Sequence, residues 1–427
     1  MSLPLRIVRI LGDRPFAEVG EPVLTVADEG RGLLAVAGAY EYGRTAPVGV
    51  YRTGDLACRA VLRARYRVHA IAFHPTAPLL AVGSGAYDGG YVFEGELLLL
   101  DLETGTTTPL FEHRYGRQVL GLTWVDEQEL RVLMAPPDDG EDRAAWVEGY
   151  EAVVRRPDWR AVPPRSLTPR DLVGPRVPTP RPDGREDARR TVSALSTAWD
   201  PRRNVRAVEE LPDGTVLATL DADEPEAPDR PECPPLADGI RLTHRTPPTS
   251  DRGPYERLRV RHGSRPYFRE AAKIRGKHWL VAAPEGAKPR RLFPHSWAPG
   301  EVHFAGPGAE TADGSLVHAG TVYNGHGLQP GGSFVVRREM TDGSPRWVFR
   351  TDPVATDLDT DPDTGTAYIA YQDGEIVALD LHGGTPRWRG PLTVAGIPAV
   401  PTALTVPAPG RLLIGTSDGR ILDCATP

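Results

Sequence analysis

Apolar residues along this chain come in short runs and do not form helical stripes. "LLAVAG" (33–38), "LLAVGSG" (79–85), "GELLLLD" (95–101), "TAYIAY" (366–371) and "RLLIGT" (411–416) have the length and the β-branched or aromatic content of strands. Between such runs stand Asp-Gly, Gly-Gly and Pro-Asp-Gly dipeptides and tripeptides, whose residues accept the backbone angles of tight turns. The segment "TAYIAYQDGEIVALDLHGGTPRW" (366–388) reads as strand, Asp-Gly turn, strand, glycine turn, strand. The pattern predicts an all-β chain.

The pattern also repeats. "LLAVAGAYEYGRTAPVGVYRTGD" (33–55) parallels "LLAVGSGAYDGGYVFEGELLLLDLETG" (79–105), and "DGSPRWVFR" (342–350) parallels "GGTPRWRGP" (383–391). A period of roughly 40–50 residues with four short strands is the signature of a β-propeller blade. One such sheet cannot bury both of its apolar faces alone, so blades must pack face to face. The expected fold is a single propeller domain over 1–427 with seven blades, eight being the alternative. The blades are placed at 21–66, 67–115, 117–163, 191–294, 300–351, 353–391 and 400–427. The last has three strands, and "LPLRIVRI" (3–10) is expected to supply the fourth and so cover an open sheet edge. Residues 163–190, rich in Pro and Arg, are read as an inter-blade insertion.

Two blades carry a family likeness. "VHAIAFHPTAPLLAVGSG…GELLLLDLETG" (68–105) resembles a bacterial WD40-type blade, with Phe73, Pro75, Asp101 and Gly105 at that family's landmarks. Leu100 stands where the family has Trp, and His74 where it has Ser. "DGEIVALDLHGGTPRW" (373–388) is similar to the repeat of pyrroloquinoline-quinone-type propellers, in which the Trp docks one blade on the next. The resemblance implies that structural role for Trp347 and Trp388. It says little about function, because a fold of this kind hosts many.

Composition narrows the field. Gly and Pro total 89 of 427 residues, which suits a chain of many turns, and the net charge of −7 does not advertise nucleic-acid binding. Lys occurs only at 273, 277 and 288, so Arg carries nearly all positive charge. Cys58, Cys233 and Cys424 form no CxxC pair, which argues against a zinc ribbon or dithiol site. No apolar run of spanning length occurs and residues 1–16 lack a signal-peptide core, so a cytoplasmic protein with no membrane contact is expected.

Function is sought in the longer connections. Segments 38–49, 83–95, 135–149, 221–239 and 320–332 fall where strands b and c of successive blades join, while the opposite turns "HPTAP", "PDG", "ETG" and "GGT" stay short. Growth on one face is how repeat proteins build a binding surface. Tyr40, Tyr42, Tyr87, Tyr91, Phe93, Trp146, Tyr150 and Tyr323 lie in or beside these segments among Gly, Asn and Asp, the chemistry of adaptable binding loops. They are the expected partner-binding residues; folding inward to pin their own loops is the alternative. Charge is sorted too: 126–151 hold nine acidic and two basic residues, and 257–291 hold eleven Lys or Arg against two Glu. Arg257, Arg259 and Arg261 alternate along "ERLRVRH" (256–262), with Arg265 beyond. They read as a basic patch on an exposed edge strand, or as a site for an acidic protein; nucleic acid is disfavoured because aromatic interleaving is thin.

An enzyme is the competing class. Asp357, Asp359 and Asp361 in "DLDTDPDTG" (357–365) are the weak metal candidates, but Pro362 stands where a calcium loop needs glycine. Turn residues between two strands is the reading favoured for them. A lactonase-like or hydrolase-like propeller, with or without calcium, would gather its residues at the central axis. The favoured reading is a non-catalytic scaffold or recognition subunit of a bacterial cytoplasmic complex, without cofactor. Its partner would be a protein such as an NTPase or protease of a signalling or conflict system.

Overall fold

Strand pairing with period two organises the whole chain. The computed structural model describes residues 5–40, 45–87, 93–111, 117–135, 148–168, 170–179, 184–200, 204–220, 240–242, 255–264, 267–270, 279–282, 288, 290–294, 302–323 and 328–427. Two compact units divide it: Arg14–Pro201, and Met1–Asp13 with Arg202–Pro427.

The unit Arg14–Pro201 holds three antiparallel meanders of four strands each, the blade unit of a β-propeller. Sheet 1 runs Pro22–Asp28, Leu33–Gly38, Ala46–Arg52 and Cys58–Ala64. Sheet 2 runs Val68–Phe73, Leu79–Tyr87, Phe93–Asp101 and Thr107–Pro109. Sheet 3 runs Val119–Trp124, Glu129–Met134, Glu148–Arg155 and Arg176–Pro178. Their apolar faces stack: Val48, Leu62, Val82 and Leu100 fill the seam between sheets 1 and 2, and Leu97, Val119, Val132 and Trp159 fill that between sheets 2 and 3. Leu100, in the place of the family's Trp, is fully buried there. The outer face of sheet 1 is covered by helix Arg185–Leu195, whose Val192 packs with Phe16, Leu34, Val36 and Tyr51. Arg189 of the helix is ion-paired with Glu21.

Three expectations change in this unit. The fourth strand of sheet 3 lies at Arg176–Pro178, beyond 117–163. The stretch 163–190 is therefore no simple connection; it contains that strand and the start of the helix. The segment 83–95 is also less of a loop than its Gly and Tyr content suggests. The hairpin ladder continues to the pair Tyr87↔Phe93, leaving only 88–92 beyond it. The glycines are there because the extended strands run against the edge of sheet 3. A Cβ on Gly85 would fall 2.5 Å from the Gln118 side chain, and one on Gly95 would collide with the Arg117 carbonyl.

His74 explains its own departure from the family pattern. Its Nδ1 accepts the amides of Thr76 (3.2 Å) and Ala77 (2.9 Å), which leaves Nε2 to donate to the Glu127 carbonyl at 2.9 Å. A serine could cap the turn but could not reach the neighbouring sheet.

Among the described residues, the unit formed by Met1–Asp13 and Arg202–Pro427 holds five larger sheets and a two-stranded ladder of Thr393–Val394 with Ile397–Pro398. Sheet 4 pairs Val205–Glu210 with Val216–Leu220, and the latter in parallel with Ile240–Leu242. Sheet 5 comprises Tyr255–Leu258, Tyr267–Glu270, Trp279–Ala282 and Arg290–Pro294. Sheet 6 comprises Val302–Glu310, Leu316–Tyr323, Leu328–Arg338 and Pro345–Thr351, with Val260–Arg261 added at its inner edge. Sheet 7 comprises Ala355–Asp361, Thr366–Tyr371, Glu375–Asp380 and Pro386–Pro391. Sheet 8 comprises Pro401–Ala408, Arg411–Thr416, Ile421–Ala425 and, from the other end of the chain, Arg6–Leu11.

The expected N-terminal strand does complete the last sheet, in antiparallel register from Arg6↔Ala425 to Leu11↔Ile421. Trp347 does dock sheet on sheet: it is buried, it donates from Nε1 to the Leu381 carbonyl at 3.0 Å, and Gly384 lies flat against its ring. Trp388 is half-buried and tilted against Tyr368. Two expectations change. Residues 191–294, placed as one blade, contain two sheets as well as the end of the helix. Ile240–Leu242 pairs in parallel with the strand before it, and the 221–239 segment expected between strands b and c lies outside the described residues. Spatial order also departs from chain order, for sheet 4 packs on sheet 8. Val205, Val208, Val216, Ala403 and Leu413 share one cluster, and Thr402 Oγ1 donates to the Val205 carbonyl at 2.8 Å.

Candidate functional site

The richest cluster of charge grows out of strand Ala355–Asp361. Alternation turns Leu358 into the core shared with sheet 6 and places Asp357, Asp359 and Asp361 on the opposite face. All three carboxylates are buried, the first two completely. They face the first strand of sheet 8, whose inner edge pairs with no further strand among the described residues. Asp357 Oδ2 accepts Leu404 N–H at 2.8 Å, Asp359 Oδ2 accepts Val406 N–H at 2.8 Å, and Asp361 Oδ2 accepts Gly410 N–H at 3.0 Å. The other oxygens take amides of their own strand and turn: Leu358, Thr360, and for Asp361 both Asp363 and Thr364. The row thus joins two sheets by satisfying edge donors that would otherwise be buried unpaired, each at a cost of about 1–3 kcal/mol.

This corrects the turn reading of the aspartates. Only Asp361 closes a turn; Asp357 and Asp359 are mid-strand. Among the described residues no group of three or more His, Cys, Asp or Glu is arranged to hold a metal, and the oxygens a metal would need accept N–H donors.

Cations complete the row. Strand Val260–Arg261 lies parallel to Val302–Glu310, pairing Val260↔Gly308 and Arg261↔Ala309. From it Arg261 donates to Asp357 Oδ2 at 2.9 Å, while Arg259 reaches Asp357 Oδ1 at 3.2 Å and the carbonyls of Arg206 and Thr356. His262 Nε2 meets Asp359 Oδ1 at 2.7 Å. Burial pulls the Arg261 guanidinium down, but the charges of Asp357 and Asp359 outweigh it and leave it above the usual arginine value. The hydrogen bond to Asp359 raises the His262 imidazole, against the smaller effects of burial and the Arg261 charge. Beyond His262, Ser264 and Tyr267 both bond Glu310.

The basic stripe expected on one exposed strand is therefore divided. Arg257 belongs to strand Tyr255–Leu258 of sheet 5, and the chain breaks at Arg259 before pairing with sheet 6. Arg259 and Arg261 have an acidic partner within the chain. Arg265 lies outside the described residues. No local signal in "ERLRVRH" could have found Asp357, about a hundred positions away.

The aromatic residues are placed as follows. Tyr40 is half-buried against the seam of sheets 1 and 2. Tyr87 and Phe93 are register partners at the end of the sheet 2 hairpin. Tyr150, near the start of the third strand of sheet 3, pairs with Met134 and has the Arg117 guanidinium 5.6 Å from its ring centroid. Tyr323 ends a strand of sheet 6 opposite Leu328. Tyr42, Tyr91 and Trp146 lie outside the described residues.

With the fold and cluster in view, the comparisons with known proteins are short. No family model matches the chain, and no curated protein matches it. Among solved structures it is similar to the β-propeller domain of Cps50 (Swd1) from Myceliophteria thermophila, at 10% identity and a TM-score of 0.30, over 99% of this chain and 100% of that one. Among the described residues, no helix is long and apolar enough to cross a membrane.

Proposed function

We propose that this chain is a non-catalytic propeller-type scaffold that recognises a protein partner through the b–c ends of its sheets. One observation carries the reading. In the unit Arg14–Pro201, Tyr40, Tyr87, Phe93 and Tyr150 fall where strands b and c join in three successive sheets. The turns at the opposite ends are closed by their own side chains: Asp28 binds Arg31, and Asp101 accepts the amides of Glu103 and Thr104. One end is finished; at the other, Tyr40 and Tyr150 are half-buried, and aromatic residues so placed are of the kind that anchors interfaces. The proposed setting is a cytoplasmic complex of a bacterium, and the partner an NTPase or protease of a signalling or conflict system. The enzyme reading has no observation in its favour, since its best carboxylates are spent on amides and cations.

Affinity capture from native lysate tests this with Tyr40→Ala and Tyr150→Ala combined, against Thr76→Glu in an opposite turn. Central aromatic anchors contribute roughly 2 kcal/mol or more each, so the double variant should capture far less partner at an unchanged melting temperature. Full capture by that variant, or an equal loss in the control, rejects the proposal.

A further inference from the structure

The aspartate row is built without help from the residues that lie over it. Without residues 259–262, Asp357 would keep the amides of Leu358 and Leu404, and Asp359 those of Thr360 and Val406. Beside the row runs the inner edge of strand Val302–Glu310, which offers backbone donors and acceptors.

The segment seated there fits imperfectly. Val260 and Arg261 pair with the edge, and the Arg259 carbonyl accepts Gly308 N–H at 3.0 Å. His262 lies at φ 52°, in the left-handed region that non-glycine residues adopt uncommonly, histidine more readily than most. The Nε of Arg261 is buried with no hydrogen-bond partner. The side chains of Arg259 and His262 are 44% and 50% exposed, although the carboxylates beneath them are fully buried. The acceptor half of the arrangement is deep and satisfied, whereas of the donor half only Arg261 is mostly buried, and Arg259 and His262 stay open to solvent.

We infer that Asp357, Asp359 and the inner edge of strand Val302–Glu310 form a docking site for an extended, arginine-bearing peptide of a partner protein, which residues 259–262 occupy in cis as a displaceable stand-in. Recognition has two parts. Main-chain pairing adds a short strand to the sheet edge, and planar guanidinium groups meet preorganised carboxylates, a geometry lysine does not reproduce. The site lies in a different unit from the aromatic ends discussed above, so either can fail alone.

The test uses the full chain and a fluorescein-labelled peptide of residues 256–264, ERLRVRHGS, followed by anisotropy. Wild type should bind weakly, because its site is filled. The variant Arg259→Ala, Arg261→Ala, His262→Ala should bind about tenfold tighter or more, as the competent fraction rises. Adding Asp357→Asn and Asp359→Asn should abolish the gain, and a lysine-for-arginine peptide should bind the unlatched chain poorly without any change to the row. Three results overturn the inference: no gain on unlatching in a chain with a native circular dichroism spectrum, equal binding of the lysine peptide, or collapse of the unlatched variant. The last would make 259–262 an integral strand.

Discussion

At the scale of residues, the pairing of His262 with Asp359 ties part of the stability to pH. The imidazole of His262 is raised above its ordinary value of 6.5, chiefly by its hydrogen bond to Asp359. A group whose folded value is raised stabilises the fold fully below its unfolded value, and that contribution disappears as pH climbs through the folded value. The charges facing it are Asp359 across the seam and Arg261 beside it. His262→Gln keeps a donor for Asp359 but removes the titration. The melting temperature of wild type should exceed that of the variant most at and below about pH 6, and the gap should close as pH rises above 6.5 and through the raised folded value. A gap constant across that range would mean the ring is neutral throughout. Asp357 is less forgiving. Removing one partner from a buried ion pair leaves the other uncompensated, at about 3–5 kcal/mol; Asp357→Asn and Asp357→Ala both remove the charge that Arg259 and Arg261 face, but Asn keeps the size and one oxygen acceptor and is the milder change.

Elements show where sequence reading succeeds and where it stops. Strand runs were legible because composition and turn residues agree locally: "TAYIAY" and "EIVALD" fold as read, and Trp347 packs where the repeat puts it. The 83–95 segment misleads because glycine marks both loops and close strand approach. Only the position of sheet 3 reveals which it is. Gly95→Ala distinguishes the two. The new methyl meets the Arg117 and Ser84 carbonyls, so the urea midpoint should drop by the equivalent of about 1–3 kcal/mol. Gly54→Ala, with nothing within 4 Å, should change it by no more than about 0.5 kcal/mol. Equal effects at the two sites would return 83–95 to the status of an ordinary loop. The aspartate row was half legible. Its alternation is in the sequence, but a strand and a turn both welcome Asp beside Pro and Gly, and the deciding partners are amides about fifty positions away.

At the scale of the whole molecule, the unit that contains the aspartate row depends on a strand from the far end of the chain. Strand Arg6–Leu11 covers Ile421–Ala425, and its Ile7 and Ile10 pack on the cluster of Leu404, Leu412, Ile414 and Cys424. The new edge it creates is protected. A bulge between Ile7 and Arg9 interrupts the ladder, and Arg9 lies 3.6 Å from Asp423, devices that discourage pairing with another chain. Cys424 reports on this strand. Its thiol is buried and pushed up to about 12, first by burial and then by the Asp423 charge, so it should resist labelling while the strand is in place. In a Cys58→Ser, Cys233→Ser background, deleting residues 1–11 should make Cys424 react with a thiol reagent at the rate of a denatured control, with loss of melting temperature. Antiparallel pairing of Arg6 with Ala425 also allows a rescue. A permuted chain that starts at Arg14, runs to Pro427 and continues through a short linker into residues 1–13 makes the whole unit contiguous and restores the strand as a hairpin partner. That chain should protect Cys424 as wild type does. Protection in the deletion itself would show that sheet 8 stands on three strands, and the closing role of the N-terminal strand would be lost.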